Sequence, residues 1–226
     1  MKKPYIVCHM KMSIDGRIDC AMTEKIQGVT EYYETLEALE APSTLSGRNT
    51  AELEMAEEGF FKSVSDLPYG KIGFSKNMDA KCYEIITDTH GKLLWADDRH
   101  DEKPMLIITS EQVSQEYLDY LDHKKISWIT CGQESIDLTK AMDILYNEFG
   151  VKRLAIVGGG TINGAFLAAG LLDEVSLLVG PAIDGRAGMT AVFDGISADH
   201  EPFDLRFKSV KSYADGALWI TYEVKA

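Results

Sequence analysis

The chain has 226 residues, with 36 acidic and 23 basic side chains and a formal net charge of −13. This charge excludes non-specific binding to nucleic acid or to an anionic membrane surface, because both would repel the protein. Hydrophobic residues make up 45% of the chain, which is ordinary for a globular protein. No apolar run approaches the ~20 residues needed to span a bilayer.

The four cysteines, Cys8, Cys20, Cys82 and Cys131, are scattered and form no C-x-x-C pair. We therefore expect neither a zinc site nor a disulfide scaffold. The first apolar run, YIVCHM, is too short for a signal-peptide core, and Lys11 follows it at once. These features predict a cytoplasmic protein with reduced thiols.

The first third of the chain has readable strand and helix patterns. The run YIVCHMKMS predicts a buried strand, and SIDGRI predicts a turn with Asp-Gly at its corner. EYYETLEALEA has the apolar spacing of a helix. STLSGRNT predicts a short strand that runs into a turn, and TAELEMAEE predicts a helix with an acidic outer face.

The pattern loosens between about residues 59 and 104. Within this region CYEIITDTHGKLLWA predicts a β-hairpin, because two β-prone runs flank the polar turn DTHGK. The region is too short to have a core of its own. We interpret it as an insertion or an elaborated connection within a single domain of residues 1–226.

After Pro104, strands and helices alternate regularly. The predicted strands are PMLIITS, ISWITCG, RLAIVGGG and EVSLLVG, and the helices between them are SQEYLDYLDHKK, DLTKAMDILYNEFG and TINGAFLAAG. In the second helix Asp137 is the expected N-cap residue, and Gly150 lies beyond the end. This alternation predicts an α/β fold with a mostly parallel sheet. FDLRFKSVKSY and ALWITYEV predict a closing antiparallel hairpin.

Three consecutive glycines, Gly158, Gly159 and Gly160, separate a predicted strand from a predicted helix. Amides at such a helix N-terminus can hold a phosphate. The run does not fit the G-x-G-x-x-G spacing of an ordinary Rossmann domain. Two interpretations remain open: a tight turn with close helix packing and Thr161 as the cap, or a ligand-binding loop. Three glycines together favour the ligand, because each adds an entropic cost on folding.

The segment VGGGTINGAFLAAGLLDEVSLLVGPAIDGR resembles the C-terminal reductase domain of the riboflavin-biosynthesis pyrimidine deaminase-reductase. MSIDGRI resembles the motif that follows the first strand in this family, and SGRNT resembles its Gly-Arg-x-Thr turn over the cofactor. The resemblance covers most of the chain except the insertion. It implies the dihydrofolate-reductase-like three-layer fold, with a mostly parallel central sheet, helices on both faces and an antiparallel C-terminal hairpin.

The resemblance also implies an NADPH-dependent reductase. The glycine loop would hold the pyrophosphate, the SGRNT segment the phosphates, the end of PMLIITS the adenosine 2′-phosphate, and the end of the first strand the nicotinamide. The residues so implied are Met12, Ser13, Gly47, Arg48, Thr50, Thr109, Ser110, Val157, Gly158, Gly159, Gly160, Thr161 and Ile162. A hydroxyl pair and an arginine suit a 2′-phosphate, whereas NAD-selective sites place an acid there.

The chain departs from the family pattern on the substrate side. The family places a substrate-contacting glutamate before the glycine loop, and this chain has Val157 there. Glu54 replaces the family's aspartate four residues beyond the Gly-Arg-x-Thr threonine. No H-x-E and P-C-x-x-C pair occurs, so zinc-dependent deamination is not expected.

Hydride transfer requires nicotinamide and acceptor in contact and a source of a proton. The candidate catalytic residues are Asp15 and Glu54, with Asp88 as a further acid in the predicted hairpin turn. Each has an alternative interpretation. Asp15 shapes an Asp-Gly turn, Glu54 is a solvated acid on an acidic helix, and turns collect aspartates such as Asp88.

The resemblance thus implies an NADPH-dependent reductase similar to 5-amino-6-(5-phosphoribosylamino)uracil reductase that acts as a homodimer, and no metal site is expected. Its substrate would be a small pyrimidine-like, pterin-like or glycosylamine compound. A dihydrofolate or pterin reductase and a non-catalytic nucleotide-binding protein remain as alternatives.

Overall fold

A computed structural model describes residues 2–65 and 67–225. The chain divides into two compact units. Unit 1 is built on Pro42–Lys152 with the N-terminal residues up to Pro4, and unit 2 combines Tyr5–Ala41 with the chain from Arg153 onward. The prediction of a single domain with an insertion at about 59–104 stays a prediction.

Strands and helices alternate through most of the chain. The elements are β1 (Tyr5–Met12), α1 (Cys20–Thr23), α2 (Val29–Ala38), β2 (Ser43–Gly47), α3 (Arg48–Glu54), β3 (Gly73–Ser75), β4 (Glu84–Thr87), β5 (Arg99–His100), β6 (Lys103–Thr109), α4 (Gln115–His123), β7 (Ser127–Thr130), α5 (Leu138–Asn147), β8 (Arg153–Gly158), α6 (Gly160–Ala168), β9 (Glu174–Val179), β10 (Leu205–Ser212) and β11 (Leu218–Val224).

In unit 2, β1 lies between β8 and β9 and is parallel to both. The C-terminal hairpin extends this sheet, because β11 pairs antiparallel with β9 and β10 pairs antiparallel with β11. A strand covered on both faces buries a continuous run of residues, and β1 buries six in succession. Parallel pairing brings the carboxyl ends of β1, β8 and β9 to one edge.

Two polar side chains lie within the buried part of β1, and each has a partner. His9 Nδ1 is 3.0 Å from the Ser176 hydroxyl, and Lys11 Nζ donates to Ile26 O at 2.9 Å. Burial lowers the pKa of His9 to about 4, so the ring is neutral near pH 7. These bonds satisfy polar groups that the strand would otherwise bury at a cost.

In unit 1, β2, β4, β6 and β7 form a parallel series, β3 pairs antiparallel with β7, and β5 pairs antiparallel with β6. The core includes Ile86, Ile107, Trp95, Tyr117 and Leu118. A mostly parallel α/β fold with an antiparallel C-terminal hairpin is therefore confirmed. No helix in the described part of the chain is long and apolar enough to cross a bilayer.

Side-chain caps define the start of two helices in unit 1. The Asp137 carboxylate accepts a hydrogen bond from Lys140 N at 2.9 Å, as predicted, and Gly150 lies beyond α5 with φ +71°. Ser114 caps α4 by accepting from Tyr117 N at 3.2 Å. Such caps satisfy amides that have no partner within the helix.

Two local predictions were wrong. The stretch CYEIITDTHGKLLWA does not form a hairpin, because β4 pairs in parallel with β2 and β6 and no strand follows it over residues 91–95. The predicted turn at GRNT is instead the first turn of α3, which begins directly at Arg48. At CYEIITDTHGKLLWA the local β preference is compatible with either a hairpin or a parallel strand, and pairing with the distant strands β2 and β6 selects the parallel strand.

A buried acid lies at the opposite end of β4 from its carboxyl edge. Glu84 accepts a hydrogen bond from the Thr44 hydroxyl at 2.5 Å, and Lys103 Nζ is 3.9 Å from its carboxylate. Burial raises the pKa of Glu84, and the Thr44 bond and the Lys103 charge offset part of that effect. A carboxyl with a raised folded-state pKa stabilises the fold below its unfolded pKa, and that contribution is lost as the pH rises through the folded pKa.

We therefore expect Glu84→Gln to raise the free energy of unfolding at pH 7 by about 1 kcal/mol, because the amide keeps an acceptor for Thr44 without a buried charge. The gain should shrink towards zero at pH 4, where wild-type Glu84 is protonated in the fold. Urea denaturation at both pH values measures this. The exposed Glu52→Gln is the control, and an equal gain at both pH values would contradict the explanation.

Candidate functional site

The predicted site residues lie at the carboxyl ends of parallel strands in both units. Unit 2 holds Met12, Ser13, Asp15, Val157, Gly158, Gly159, Gly160, Thr161 and Ile162. Unit 1 holds Gly47, Arg48, Thr50, Glu54, Thr109 and Ser110. Loops at this edge of a parallel sheet are where α/β proteins bind ligands.

The glycine loop of unit 2 leads directly from β8 into α6. Gly158 ends the strand with φ +150°, the Gly158–Gly159 peptide is cis, and Gly159 is the N-cap residue of the helix. No side chain caps α6, and no acid occurs in its first turn. The first amides of a helix have no partner within it and carry partial positive charge, so they attract an anion.

Val157 precedes this loop in β8. It is half-buried and packs against the cluster of Val7, Leu39, Ala41 and Ala155. The side chain at the position of the family's glutamate is thus part of the apolar packing of unit 2, and it supplies no polar group to a substrate.

Two glycines of the GGGTING segment have a packing reason. A Cβ added to Gly160 would lie 2.2 Å from Ala191 O, and one added to Gly164 would lie 2.0 Å from Asp194 O. Both distances are far shorter than a carbon–oxygen contact allows, so neither position accepts a side chain. Close packing, one part of the first interpretation of the glycine run, therefore accounts for Gly160. The other part, Thr161 as the cap, was wrong, because Gly159 is the N-cap residue and no side chain caps α6.

The SIDGR turn after β1 is held by the carboxylate of Asp15. This carboxylate accepts hydrogen bonds from the Ser13 hydroxyl at 2.6 Å, from Asp184 N at 3.0 Å and from Gly185 N at 2.9 Å. These bonds, led by the one from Ser13, hold the pKa of Asp15 well below its usual range. Asp15 therefore remains ionised near pH 7, and the visible role of its side chain is to fasten the turn.

In unit 1 the strand ends are in register. Gly47 lies opposite Thr87, and Thr109 lies opposite Thr130. Arg48, the first residue of α3, is exposed, while Thr50 is half-buried. Glu54 is the exposed last residue of the same helix.

The hydroxyl pair that follows β6 points into unit 1. Thr109 and Ser110 are both fully buried. Ser110 Oγ donates to Thr89 O at 2.8 Å and accepts from Gln112 N at 3.2 Å. This hydroxyl therefore organises the surrounding loops, and its contact with a 2′-phosphate stays a prediction.

Asp88 lies directly after β4, at the same edge, and is fully buried. One carboxylate oxygen accepts from Lys92 N at 2.5 Å and Leu93 N at 2.9 Å, and the other, Oδ1, has no partner. Burial raises the pKa of Asp88, and the two backbone bonds oppose this. The geometry gives Asp88 the role of shaping the loop after β4.

Sequence reasoning missed two polar residues of unit 2 that contact the glycine loop. Asn163 is fully buried in α6 and donates from Nδ2 to Val192 O at 2.7 Å. Asp194 N donates to Gly160 O at 3.0 Å. In the sequence, Asn163 stands inside an otherwise apolar helix, and Asp194 belongs to an Asp-Gly pair about 30 residues later. Neither feature identifies the distant residue to which the side chain or the backbone amide binds.

Parallel strands joined by helices, with a glycine loop opening an uncapped helix at their carboxyl edge, are the arrangement of α/β proteins that bind nucleotide phosphates. A sequence model of the RibD C-terminal domain family matches residues 4–220. The chain belongs to this family, as the resemblance of its motifs predicts.

Two relatives that are named as reductases match this chain over most of their length. The 2,5-diamino-6-ribosylamino-4(3H)-pyrimidinone 5′-phosphate reductase of Methanothermobacter thermautotrophicus is 26% identical over 229 residues, which cover 99% of each chain. The enzyme of the same name from Archaeoglobus fulgidus is 24% identical over 205 residues, 86% of this chain and 88% of that protein.

Solved structures show the same fold. A pyrimidine reductase-like protein from Corynebacterium diphtheriae superposes with a TM-score of 0.71 and 20% identity, over 99% of this chain and 92% of that chain. The riboflavin biosynthesis reductase Rib7 of Saccharomyces gives a TM-score of 0.61 and 16% identity, over 99% and 90%. These likenesses show the fold. The family match and the relatives named as reductases identify the chain as an oxidoreductase, and a nicotinamide cofactor is the reductant that such an enzyme requires.

The close approach at Gly160 gives a direct test of the packing around α6. Gly160→Ala should lower the free energy of unfolding by about 1–3 kcal/mol, since the methyl group must displace Ala191 or the helix. Chemical denaturation measures the change. Thr161→Ala, an exposed neighbour in the same turn, is the control and should be close to wild type. A Gly160→Ala variant as stable as wild type would show that the two segments separate freely.

Proposed function

We propose that this protein is an NADPH-dependent reductase and that its substrate is a ribosylaminopyrimidine 5′-phosphate, the class of compound that the names of its relatives give. The observation that carries the proposal is the uncapped N-terminus of α6 directly after the glycine loop. It supplies amide donors where a dinucleotide needs them, in a chain whose relatives from Methanothermobacter and Archaeoglobus are both named for this reduction.

The donor set of unit 2 fits a pyrophosphate. The amides of Gly160, Thr161 and Ile162 begin the helix and have no side-chain cap. Bare backbone at Gly158 and Gly159 would let a phosphate approach closely. When bound, NADPH supplies the hydride, and the amides of this loop would hold its phosphates.

In unit 1, Arg48 is the cation that we assign to a cofactor phosphate. It is exposed at the first turn of α3, next to Gly47. A guanidinium forms paired hydrogen bonds with phosphate oxygens, and this distinguishes a 2′-phosphate from the plain ribose hydroxyl of NADH. The preference for NADPH that we propose therefore rests on Arg48 more than on the buried Ser110.

The main contribution of the protein to catalysis would be to position the nicotinamide and the substrate, and not to transfer a proton. Reduction of a ribosylamino group adds hydride to the sugar carbon and a proton to the attached nitrogen of the opened C=N form. Met12 is the last residue of β1 and Ser13 follows it, and both would line the nicotinamide side. Asp15 stays ionised because its pKa is depressed, so it is not the proton donor in this proposal, and water supplies that proton.

The other functions that the sequence left open, pterin reduction and non-catalytic nucleotide binding, are not favoured by the names of the relatives.

The first experiment is a fluorescence titration of the purified protein with NADPH and with NADH, followed by an assay of NADPH oxidation with the ribosylaminopyrimidine phosphate. We expect saturable NADPH binding in the micromolar range, about tenfold tighter than NADH. Arg48→Ala should reduce that preference, whereas Lys62→Ala, which removes a cation elsewhere in unit 1, should not. Absence of binding by either nucleotide would contradict the proposal.

We also propose that the enzyme works in the cytoplasm as a homodimer. Four free thiols and the acidic charge support the cytoplasmic location.

The homodimer is supported by one face of the C-terminal hairpin, on which the side chains of Phe207 and Val210 are 60% and 56% exposed. Tyr222 and Ile220 lie opposite them in register, so the four side chains share one face. An exposed apolar face beside an exposed edge strand invites association with a second copy.

Light scattering coupled to size-exclusion chromatography tests the dimer. Wild type should elute at twice the monomer mass, and Phe207→Glu with Val210→Glu should give a monomer, because carboxylates on this face would repel their counterparts. Lys211→Glu, on the other face of β10, is the matched control and should remain dimeric. A monomeric wild type would rule the proposal out.

A further inference from the structure

A short segment of unit 2, residues 189–194, runs between the SIDGR turn and the start of α6. Neither the sequence motifs nor the reduction itself assigns it a role. We call this segment the strap. Its main chain makes hydrogen bonds on both sides to other residues of unit 2.

On one side the strap is attached to the turn that follows β1. The Arg17 guanidinium donates to Met189 O at 2.6 Å, and Arg17 pairs with Ala191 as an antiparallel bridge. Ile18 N donates to Thr190 O, and Val192 N donates to Gly16 O, each at 3.1 Å. Asp15 and Ser13 hold the same turn from within, so the strap and the turn form one hydrogen-bonded structure.

On the other side the strap is attached to the first turns of α6. Asp194 N donates to Gly160 O at 3.0 Å, and Asn163 Nδ2 donates to Val192 O at 2.7 Å. The oxygens of Ala191 and Asp194 lie where side chains on Gly160 and Gly164 would be. Bare glycines therefore let the strap touch the helix backbone.

Two side chains fix the strap in this position. Asn163 is fully buried, and its Oδ1 has no hydrogen-bond partner, so its one described side-chain bond is the one to Val192. The Asp194 carboxylate accepts from Ala191 N at 3.0 Å, which closes the strap on itself beside Gly160. The buried side-chain amide of Asn163 thus leaves its oxygen unpaired while its nitrogen binds Val192 O. We interpret the bond to Val192 as the one that fixes the position of the strap, because buried polar atoms are normally hydrogen-bonded.

We infer that Asn163 and Asp194 are positioning residues, which act through the strap to hold the glycine loop and the SIDGR turn at a fixed separation. The inference rests on the proposed function, since the first element would hold the cofactor phosphates and the second would line the nicotinamide. Hydride transfer depends steeply on the distance between donor and acceptor. A strap that fixes the positions of the pyrophosphate and the nicotinamide relative to each other would therefore act on turnover more than on affinity.

The test compares Asn163→Ala, Asp194→Ala and Asp194→Asn with wild type. Asp194→Asn keeps an oxygen acceptor for Ala191 N and removes only the charge, so it is the conservative variant. Ser197→Ala, an exposed change just beyond the strap, is the control. The measurements are kcat and KM for NADPH and for the ribosylaminopyrimidine phosphate, together with hydrogen exchange of the amides in residues 13–18 and 160–164.

We expect both alanine variants to lower kcat by roughly tenfold to a hundredfold, with smaller changes in KM. Amides of the turn and of the first turns of α6 should exchange faster, while those of α2 stay protected. Asp194→Asn should keep kcat within about threefold of wild type. Wild-type kcat in Asn163→Ala and Asp194→Ala, or an Asp194→Asn variant as impaired as Asp194→Ala, would overturn the inference.

Different experimental results would reject the inference about the strap and the proposed function. If wild type binds NADPH but does not reduce the ribosylaminopyrimidine phosphate, the proposed substrate is wrong. The strap is then judged by hydrogen exchange: faster exchange confined to residues 13–18 and 160–164 in the alanine variants, with NADPH affinity close to that of wild type, supports it, and unchanged exchange overturns it. If exchange rises throughout unit 2, the two residues are merely structural and the inference is also overturned.

Discussion

Parallel pairing of buried strands is the constraint on which the rest of this protein depends. In unit 2, β1 is flanked by β8 and β9 in the same direction, and in unit 1 the same relation joins β2, β4, β6 and β7. Parallel strands need a long connection back to their start, so the loops that leave their carboxyl ends gather at one edge. Each predicted site residue lies on or just beyond such an end, or on the helix that follows it.

Glycine has two separate uses at this edge. At Gly158, which ends β8 with φ +150°, the backbone conformation favours glycine. At Gly160 and Gly164 the missing side chain is required by neighbouring oxygens of the same unit. A single glycine-rich motif thus combines a conformation that favours glycine with a tight internal contact two residues later.

Three aspartates of this acidic protein hold loops. Asp15 fastens the SIDGR turn, Asp88 shapes the loop after β4, and Asp194 closes the strap. Each accepts backbone amides, and such bonds are stronger when the acceptor is charged.

The sequence by itself determined the strands and helices after Pro104, the caps at Asp137 and Gly150, the C-terminal hairpin and the family, because these depend on short-range periodicity and on motifs of a few residues. It did not determine that CYEIITDTHGKLLWA contributes a central parallel strand, since the pairing that decides this comes from residues about 20 to 40 positions away. Nor did it identify the contacts of Gly160, Asn163 and Asp194, which join segments about 30 residues apart. Local pattern specifies what each segment can form, whereas the partner of a buried polar group or of a bare glycine is chosen only when the segments pack together.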